Sequence, residues 1–333
     1  VASVLGGVAG VIFGVLALSW PDVTLLVVAV LFGARTVLFG LRTAWSAWRD
    51  RHATAQPEQD PRAPGRLRRA GHLAGAAAAL VVALLLASVS ASLHASQAEV
   101  DGFYDTPDDV PDEAGVLLDA EPFDRDVPEG ATAYRILYTT TRGDDEPAVA
   151  SALVVVPEGA DGPVPVVAWA HGTTGFARGC APTVMDDGLE AGAFFLLDEV
   201  LAEGWALVAT DYVGLGTEGP HPYLIGDRTA PSVLDAVRAA RQLDEVEVSD
   251  ETVVWGHSQG GGVALWTGQI APTYAPDVEL AGVAALAPAS YLPGLVGGLR
   301  TITGGSIFAS YVVAAYAATY DERRGGHTTP SKW

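Results

Sequence analysis

Cysteine is almost absent from this sequence, because Cys180 is the only one among its 333 residues. One thiol cannot close an internal disulfide, and it cannot build a metal site from thiolate ligands. Basic residues are also scarce: 19 lysines and arginines stand against 40 aspartates and glutamates, which gives a net charge of −21. Such a charge repels nucleic acid, so we expect neither a DNA nor an RNA partner.

The negative charge belongs to the larger, C-terminal part of the chain. Residues 1–98 hold eight arginines and four acids, for a net charge of +4. Residues 99–333 hold the other 11 basic and 36 acidic residues, for a net charge of −25. The sequence is therefore divided into two electrostatically different parts, and a charge as high as that of the second part favours solubility.

Three long apolar runs occupy the first hundred residues. Residues 1–20 and 71–93 contain no Asp, Glu, Lys or Arg and are long enough to cross a bilayer as helices. The remaining run, from residue 23 to 45, lies between these two and contains Arg35. This arginine either faces a helix-bundle interior or snorkels to the interface. These runs predict two transmembrane helices within residues 1–45 and a third at 71–93.

The loop between the second and third predicted spans, residues 46–70, is rich in arginine. The positive-inside rule places such a short basic loop in the cytoplasm, so the third span would run outward. We therefore expect a multi-pass cell-membrane protein whose remaining residues are extracellular. Residues 71–93 could instead be the apolar region of a signal peptide, but about 70 residues precede them, far more than a signal peptide has. The arginines in and beside this loop are Arg49, Arg51, Arg62, Arg66, Arg68 and Arg69.

The segment GVIFGVLALSWPDVTLLVVAVLFGARTVLFGL, within the first 45 residues, resembles the paired-helix repeat of the HdeD-like acid-resistance membrane proteins. In that family, glycine-rich helices flank a central Trp-Pro-Asp, which is present here as Trp20, Pro21 and Asp22. The resemblance implies a membrane anchor, with membrane lipid as its partner, and it implies no chemistry.

The acidic part of the chain is predicted to fold as alternating strands and helices. Residues 94–130 are rich in Asp, Glu, Pro and Gly, so we expect an acidic linker there. After it, buried apolar strands alternate with helices, which is typical of an α/β fold with a mainly parallel sheet covered on both faces. The predicted strands are 131–141, 148–157, 163–172, 205–211, 251–258 and 278–288, and the predicted helices are 190–204, 230–243 and 260–271.

The segment TVVWGHSQGGGVALW, residues 252–266, places one serine between two glycines where a predicted strand becomes a helix. A tight strand–turn–helix bend exposes a serine hydroxyl, and side chains two residues before or after it would collide with the helix. Gly256 and Gly260 satisfy that requirement around Ser258. Gln259 is the first residue of the predicted helix, so its N–H faces the reacting oxygen. A bare turn fits the same spacing, but the strand before and the helix after favour a nucleophile at Ser258.

The loop AWAHGTTGFARG follows another predicted strand, about 85 residues before Ser258. Enzymes with a serine in such a bend place the second donor to the reacting oxyanion in a loop of this kind. Thr173 is the candidate donor, through its backbone N–H or its hydroxyl, and the alternative is an ordinary glycine-rich turn. Asp211, at the end of the next strand, precedes the serine, so we interpret it as a carboxylate that fixes a loop.

Four segments together resemble the secretory lipase family of α/β-hydrolases: HGTTG, DYVGLGTEGPHPYLIG, SVLDAVRAARQL and GHSQGGGVALW. The resemblance covers about residues 105–320. It implies an α/β-hydrolase core at 131–289, a partial helical cap with a polar tail at 290–333, and hydrolysis of triacylglycerols or other lipid esters by a Ser-Asp-His triad. It implies no cofactor and no metal.

In this fold the acid and the base of the triad follow the serine, in the order serine, acid, histidine. Only 75 residues follow Ser258, and His327 is the one histidine among them, so it is the candidate base. Asp321 and Glu322 are weaker candidates for the acid. We therefore expect a truncated chain from which the triad acid and base are missing. The other histidines near these motifs are expected to have structural roles: His171, His221 and His257.

Two other functions fit the same residues. A non-catalytic membrane protein could carry a hydrolase-like extracellular domain that binds a lipid or a protein partner. Another acyl-transfer enzyme, such as an exopeptidase or an acyltransferase, could use the same bend and oxyanion loop, because a fold does not fix the substrate. The apolar residues of the predicted cap favour lipid esters as the substrate.

Overall fold

The computed structural model describes residues 98–321 apart from 144–145, 161, 190–195 and 245, together with residue 81 and a few residues between 33 and 49. The three predicted membrane spans lie outside the described residues except for those few, which are helical. Within the described part, no helix is both long and apolar enough to cross a bilayer. The candidates His327 and Glu322 lie outside it as well, and Asp321 is described only as the last residue of a helix.

One mixed sheet of seven strands runs through the described part of residues 98–321. Its strands are β1 (Leu117–Phe123), β2 (Ala131–Thr141), β3 (Pro147–Pro157), β4 (Val164–Ala170), β5 (Ala206–Thr210), β6 (Val248–His257) and β7 (Glu279–Leu286). They lie in the order β1-β2-β3-β5-β4-β6-β7. The pairs from β1 to β5 are antiparallel, and the pairs from β5 through β4 and β6 to β7 are parallel.

The sheet confirms the α/β class, and it differs from the sequence prediction at β1. Leu117–Phe123 lies inside residues 94–130, which were predicted as an acidic linker, and that prediction is wrong for this strand. Its sequence, LLDAEPF, contains two acids and a proline, residue types that are depleted in strands. They are tolerated because β1 is an edge strand on which all side chains except that of Phe123 are partly or fully exposed.

Five helices accompany the sheet within the described part of residues 98–321. They are α1 (Leu197–Ala202), α2 (Gly226–Ala240), α3 (Gln259–Tyr274), α4 (Leu292–Gly298) and α5 (Gly305–Asp321). α2 begins four residues before its predicted start at residue 230, so Pro231 lies inside the helix. A proline there removes only one helical hydrogen bond, and the packing of α2 against the sheet offsets that loss. Single 3-10 turns occur at Gly102–Tyr104, Arg178–Cys180 and Leu299–Thr301.

The apolar core lies in two layers, one on each face of the sheet. Alternate residues of β4 show this division, because Val166 and Ala168 pack with α2 and α3 whereas Val167 and Trp169 pack with α1. All four side chains are buried, and full burial of a large apolar side chain contributes about 1.5–3 kcal/mol. Burial on both faces explains why these strands are unbroken apolar runs in the sequence.

The parallel half of the sheet determines where the functional segments meet. β4 lies between β5 and β6, and the three strands run in the same direction. Their carboxyl ends continue into the loop that begins at His171, into Asp211 and into Ser258, respectively. Because the carboxyl ends of parallel strands share one edge of a sheet, segments up to 87 residues apart in the sequence become neighbours.

Candidate active site

Ser258 occupies the turn between β6 and α3 in a backbone conformation that residues with a side chain rarely adopt. Its φ is 56° and its ψ is −115°, a conformation that strains a non-glycine residue by about 1–3 kcal/mol. The N–H of Ser258 donates to the carbonyl of Leu286 at 2.9 Å. Its carbonyl accepts from Gly262 N–H at 3.3 Å and from Ala289 N–H at 2.9 Å. The turn is thus fixed by α3 on one side and by the end of β7 with the segment after it on the other.

The two glycines that flank Ser258 have no room for a side chain. A Cβ on Gly256 would lie 2.1 Å from the carbonyl oxygen of Gly260. A Cβ on Gly260 would lie 1.9 Å from the carbonyl oxygen of Ala170, at the end of β4. Both contacts are with the main chain, so no side-chain rotation relieves them. The spacing found in the sequence therefore reflects a close approach of α3 to β4 and β6.

The loop after β4 lies directly beside Ser258. A Cβ built on Gly172 would be 3.8 Å from the Cβ of Ser258, and Thr173 is the next residue. Within the described part of the chain, neither Thr173 N–H nor Gln259 N–H donates to another group. Gln259 is the first residue of α3, so its N–H also lies at the positive end of the helix dipole. The structure therefore brings together Ser258 and two unengaged main-chain donors.

A chain of hydrogen bonds links the side chains behind these donors. The hydroxyl of Thr173 lies 2.8 Å from the hydroxyl of Tyr223 and donates to Oε1 of Gln259 at 3.2 Å. Nε2 of Gln259 lies 3.0 Å from Nε2 of His221, and Nδ1 of that ring lies 3.1 Å from the carbonyl oxygen of Val213. Because the Thr173 hydroxyl proton is directed at Gln259, the Thr173 N–H is the donor of this residue that has no acceptor among the described residues.

This chain of hydrogen bonds was not predicted from the sequence. His221 and Tyr223 stand in the GPHPYLIG part of a segment that carried the family resemblance, and nothing in that segment indicates a partner 38 residues away. Burial lowers the pKa of His221 to about 4, so the ring is neutral at pH 7. It is 1% exposed and reaches no substrate from this position.

His171 and Asp211 are buried groups that order loops. His171 places Nδ1 2.6 Å from the carbonyl oxygen of Gly172 and Nε2 3.3 Å from the carbonyl oxygen of Asp211. Burial lowers its pKa to about 4. The carboxylate of Asp211 accepts from the hydroxyl of Ser151 at 2.6 Å, from the N–H of Thr183 at 3.0 Å and from the Thr183 hydroxyl. Burial raises its pKa to about 6. Its hydrogen bonds tie the loop that contains Thr183 to the sheet.

The hydroxyl of Ser258 has no hydrogen-bond partner within the described residues. The ring of His257 lies on the Gly172 side of the turn, with Nδ1 3.6 Å from the position of a Cβ on Gly172. His327, the candidate base, lies outside the described residues.

Apolar and aromatic side chains surround the outer side of this site. A cavity of about 90 Å³ beside Gln259 is lined mainly by apolar groups of α3 and of the segments before α2 and α4. From α5, Tyr311 stacks on Phe176 with ring centroids 5.4 Å apart and meets the edge of Tyr223 at 5.6 Å. α5 is thus packed on the two loops that carry Thr173 and His221. The cavity lining includes Leu224, Val263, Leu265, Trp266 and Leu292.

Two family models match parts of this chain. Residues 189–326 match the family model for the secretory lipases. The resemblance predicted from the sequence is confirmed. Residues 5–59 match a short repeat of unknown function (DUF308), which agrees with the HdeD-like pattern. The secretory-lipase match contains Ser258, both flanking glycines and Gln259.

Curated relatives of this chain come from bacteria and yeasts. A protein described as "Probable inactive lipase", from Mycobacterium tuberculosis, is 30% identical over 167 residues, which are 47% of this chain and 36% of that protein. A secreted triacylglycerol lipase of Malassezia globosa is 30% identical over 202 residues, 57% of this chain and 42% of its own length. The chain therefore spans well under half the length of these two relatives.

Solved structures share the fold. The rice cell wall degrading esterase LipA from Xanthomonas oryzae superposes with a TM-score of 0.54 and 26% identity, over 63% of this chain and 61% of that one. Candida antarctica lipase A in its closed state superposes with a TM-score of 0.53 and 19% identity, over 66% of this chain and 52% of its own. The second likeness concerns the fold alone.

Proposed function

We propose that this protein is a serine ester hydrolase of the secretory lipase type, with Ser258 as its nucleophile. The observation that carries the proposal is the strained turn at Ser258, next to a loop and a helix start that each offer a free main-chain N–H. Strain of this kind persists where the surrounding structure enforces it, and it is concentrated at functional sites. Here two glycines and three main-chain hydrogen bonds enforce it.

The proposed reaction is acyl transfer to the Ser258 hydroxyl. The Oγ of Ser258 attacks the ester carbonyl and loses its proton to a base, and the carbonyl oxygen becomes an oxyanion. The N–H groups of Thr173 and Gln259 donate to that oxyanion, with the dipole of α3 adding to the stabilisation. Collapse of the intermediate releases the alcohol, which takes the proton from the base, and water then frees the acid. His327 remains the candidate base, and neither the base nor the acid of the triad is assigned within the described residues.

Lipid esters are the proposed substrates. The apolar cavity beside Gln259 and the exposed apolar side chains Leu265 and Trp266 on α3 provide a surface suited to an acyl chain. Triacylglycerol lipase is also the description of the Malassezia globosa relative. A lipid ester needs no charged recognition group, and a metal or other cofactor is not required for this reaction.

We further propose that the hydrolase region, residues 131–289 with the edge strand β1 before it, is held outside the cell by an N-terminal membrane anchor. Support comes from the three apolar runs, the arginine-rich loop 46–70 and the repeat matched at 5–59. Secretion of the Malassezia globosa relative agrees with an extracellular hydrolase region. Residues 290–333 would begin the cap over the site.

A non-catalytic hydrolase-like domain is the second candidate. The "Probable inactive lipase" relative favours it, because that protein is 30% identical to this chain over 167 residues. Both candidates predict a folded α/β domain, and they differ in whether Ser258 reacts.

Labelling with a fluorophosphonate separates these candidates. The full chain, solubilised in detergent, is treated with the probe, and the modified peptide is identified by mass spectrometry. We expect the label on Ser258 and no label in Ser258→Ala, whereas Ser290→Ala, which changes an exposed serine at the same cavity, labels like wild type. If the chain has native circular dichroism and Ser258 is not labelled, the proposal of a hydrolase is refuted and that of a non-catalytic binding domain is supported. Hydrolysis of p-nitrophenyl esters of increasing chain length then tests the preference for lipid esters.

A further inference from the structure

The hydrogen bonds behind Thr173 and Gln259 have one possible direction, and the ring of His221 determines it. The carbonyl oxygen of Val213 only accepts, so Nδ1 of His221, 3.1 Å away, must carry the proton. In a neutral ring the other nitrogen, Nε2, is then an acceptor. The Gln259 side chain meets it at 3.0 Å and must present its NH₂ group. The amide of Gln259 is thereby held in one of its two orientations.

The orientation of Gln259 then fixes the remaining donors. Its Oε1 faces Thr173 and accepts the hydroxyl proton at 3.2 Å. Thr173 Oγ1 has only that one proton, so at 2.8 Å it accepts from the Tyr223 hydroxyl. Each donor in the chain has one acceptor, from Tyr223 through Thr173 and Gln259 to His221 and the carbonyl of Val213. Gln259 and His221 are 2% and 1% exposed, so water does not compete for these bonds.

We propose that His221 is a positioning residue for the oxyanion site, because it holds the Gln259 side chain in the orientation that ties Thr173 to the start of α3. The inference rests on the proposed function, since Thr173 and Gln259 are the two proposed oxyanion donors. The hydrogen bond between their side chains joins the loop after β4 to the first residue of α3. Their N–H groups therefore keep a fixed separation, which is the requirement for preorganised stabilisation of an oxyanion.

A role for His221 as the catalytic base does not fit its surroundings. Both ring nitrogens are engaged, and the ring is enclosed by Tyr212, Phe176 and Tyr223 at centroid distances of 5.8, 6.2 and 6.1 Å. The alternative that does fit is a merely structural role, in which any residue that fills the space serves equally well. The two roles differ in what they require of Nε2, because only the positioning role needs an acceptor there.

Two substitutions of His221 separate the positioning role from the structural one. His221→Gln places an amide oxygen near the former Nε2 and preserves an acceptor for Gln259. His221→Asn places an amide nitrogen near the former Nδ1, preserves the donor to Val213 and leaves Gln259 without an acceptor. The two variants are similar in polarity and neither is charged. Thermal unfolding is measured for both, so that rates are compared between proteins that are folded.

The first measurement is the tautomer of His221 in the full chain labelled with ring-¹⁵N histidine, with side-chain-¹⁵N glutamine added so that the amide of Gln259 is also observed. The His221 signals are assigned by their loss in His221→Gln. We expect protonated Nδ1 and unprotonated Nε2 at pH 7, and a protected side-chain NH₂ signal of Gln259 that persists in His221→Gln and disappears in His221→Asn. Protonation at Nε2 instead, or an unchanged Gln259 signal in His221→Asn, would overturn the proposal.

The second measurement is ester hydrolysis by the same proteins. We expect His221→Asn to lower kcat by about 10- to 100-fold with KM within about twofold, since misplaced oxyanion donors act on the transition state. His221→Gln should stay within about threefold of wild type by the same argument. Equal loss in both variants, at equal stability, would overturn the positioning role. If wild-type Ser258 does not react at all, the proposed function fails, and the ¹⁵N signals still decide whether His221 positions Gln259.

Discussion

The close approach of α3 to β4 is tested most directly by Gly260→Ala. A Cβ on Gly260 would lie 1.9 Å from the carbonyl oxygen of Ala170, 2.4 Å from the carbonyl carbon of that residue and 2.6 Å from the carbonyl oxygen of His171. All three atoms belong to the main chain at the end of β4. No flexible side chain can turn away, so the start of α3 must move away from the sheet.

The size of that movement sets the expected effect. A carbon and an oxygen in van der Waals contact need more than 3.0 Å, so the contact with Ala170 requires a displacement of about 1 Å or more. Overpacking of this kind lowers the free energy of unfolding by about 1–3 kcal/mol, and we expect the upper end or more because main chain must shift. Moving Ser258 and Gln259 by about 1 Å should slow reaction at Ser258 by about 100-fold.

Urea denaturation and the rate of fluorophosphonate labelling measure the two effects separately. Gly282→Ala is the matched control, since a Cβ at this position in β7 meets no atom within 4 Å. It should change the free energy of unfolding by less than about 1 kcal/mol. Gly262→Ala, whose Cβ would lie 2.9 Å from the carbonyl oxygen of Ala289, should fall between the two. If Gly260→Ala were as stable and as reactive as Gly282→Ala, the steric account of the bend would be refuted.

Three further predictions follow from single groups at the site. Ser258→Gly should be about 1 kcal/mol more stable than Ser258→Ala in urea denaturation, because glycine adopts a φ of 56° without strain and this outweighs its greater flexibility when unfolded. Asp211→Asn should remove a pH dependence of stability: burial raises the pKa of Asp211 from 3.8 to about 6, so its stabilising contribution is full below pH 3.8 and is lost as pH rises through 6. The free energy of unfolding of wild type, relative to that of the variant, should therefore fall by about 2 kcal/mol from pH 4 to 7. Tyr223→Phe removes the donor to Thr173 and should lower the free energy of unfolding by about 1 kcal/mol and slow hydrolysis less than His221→Asn does.

Each of these predictions has an internal control. Ser258→Ala has the same backbone requirement as wild type, so equal stability of the Ala and Gly variants would argue against strain. His171 and His221 lose stability as pH falls from 6.5 to about 4, opposite in sign to Asp211, and they cancel in the difference between wild type and Asp211→Asn. A flat difference would show that Asp211 has an ordinary pKa. Tyr291→Phe, at a side chain 74% exposed, should leave stability and rate unchanged.

Most of the strands could be predicted because a strand buried on both faces is an unbroken apolar run in the sequence. β4 and β5 are apolar runs whose observed ends lie within two residues of the predicted ones. β1 was missed because an exposed edge strand tolerates Asp119 and Glu121, and no apolar pattern distinguishes it from a linker. The start of α2 was misplaced because its first turn, Gly226–Thr229, is polar, and Pro231 suggested a later beginning.

The site was predictable to the extent that its geometry is local. Ser258 and its two glycines lie within five residues, and their steric requirement follows from the bend alone. Gln259 was predicted as a main-chain donor, and its side chain was given no role. That role depends on contacts with Thr173 and His221, 86 and 38 residues away, which only the folded topology brings together. No spacing rule in one sequence predicts which of several buried polar groups will meet.

Two kinds of force therefore hold the candidate site, and they differ in size. The bend at Ser258 is imposed by main-chain contacts at Gly256 and Gly260, where one added carbon should cost about 3 kcal/mol or more because no flexible side chain can move away. The donors beside it are aligned by side-chain hydrogen bonds, each contributing about 1 kcal/mol to stability. Changes at the glycines should then reduce stability and reactivity together, whereas changes along the chain of hydrogen bonds should reduce reactivity with little loss of fold. A small loss of alignment suffices for a large loss of rate, because oxyanion stabilisation depends on donors being in place before the charge develops.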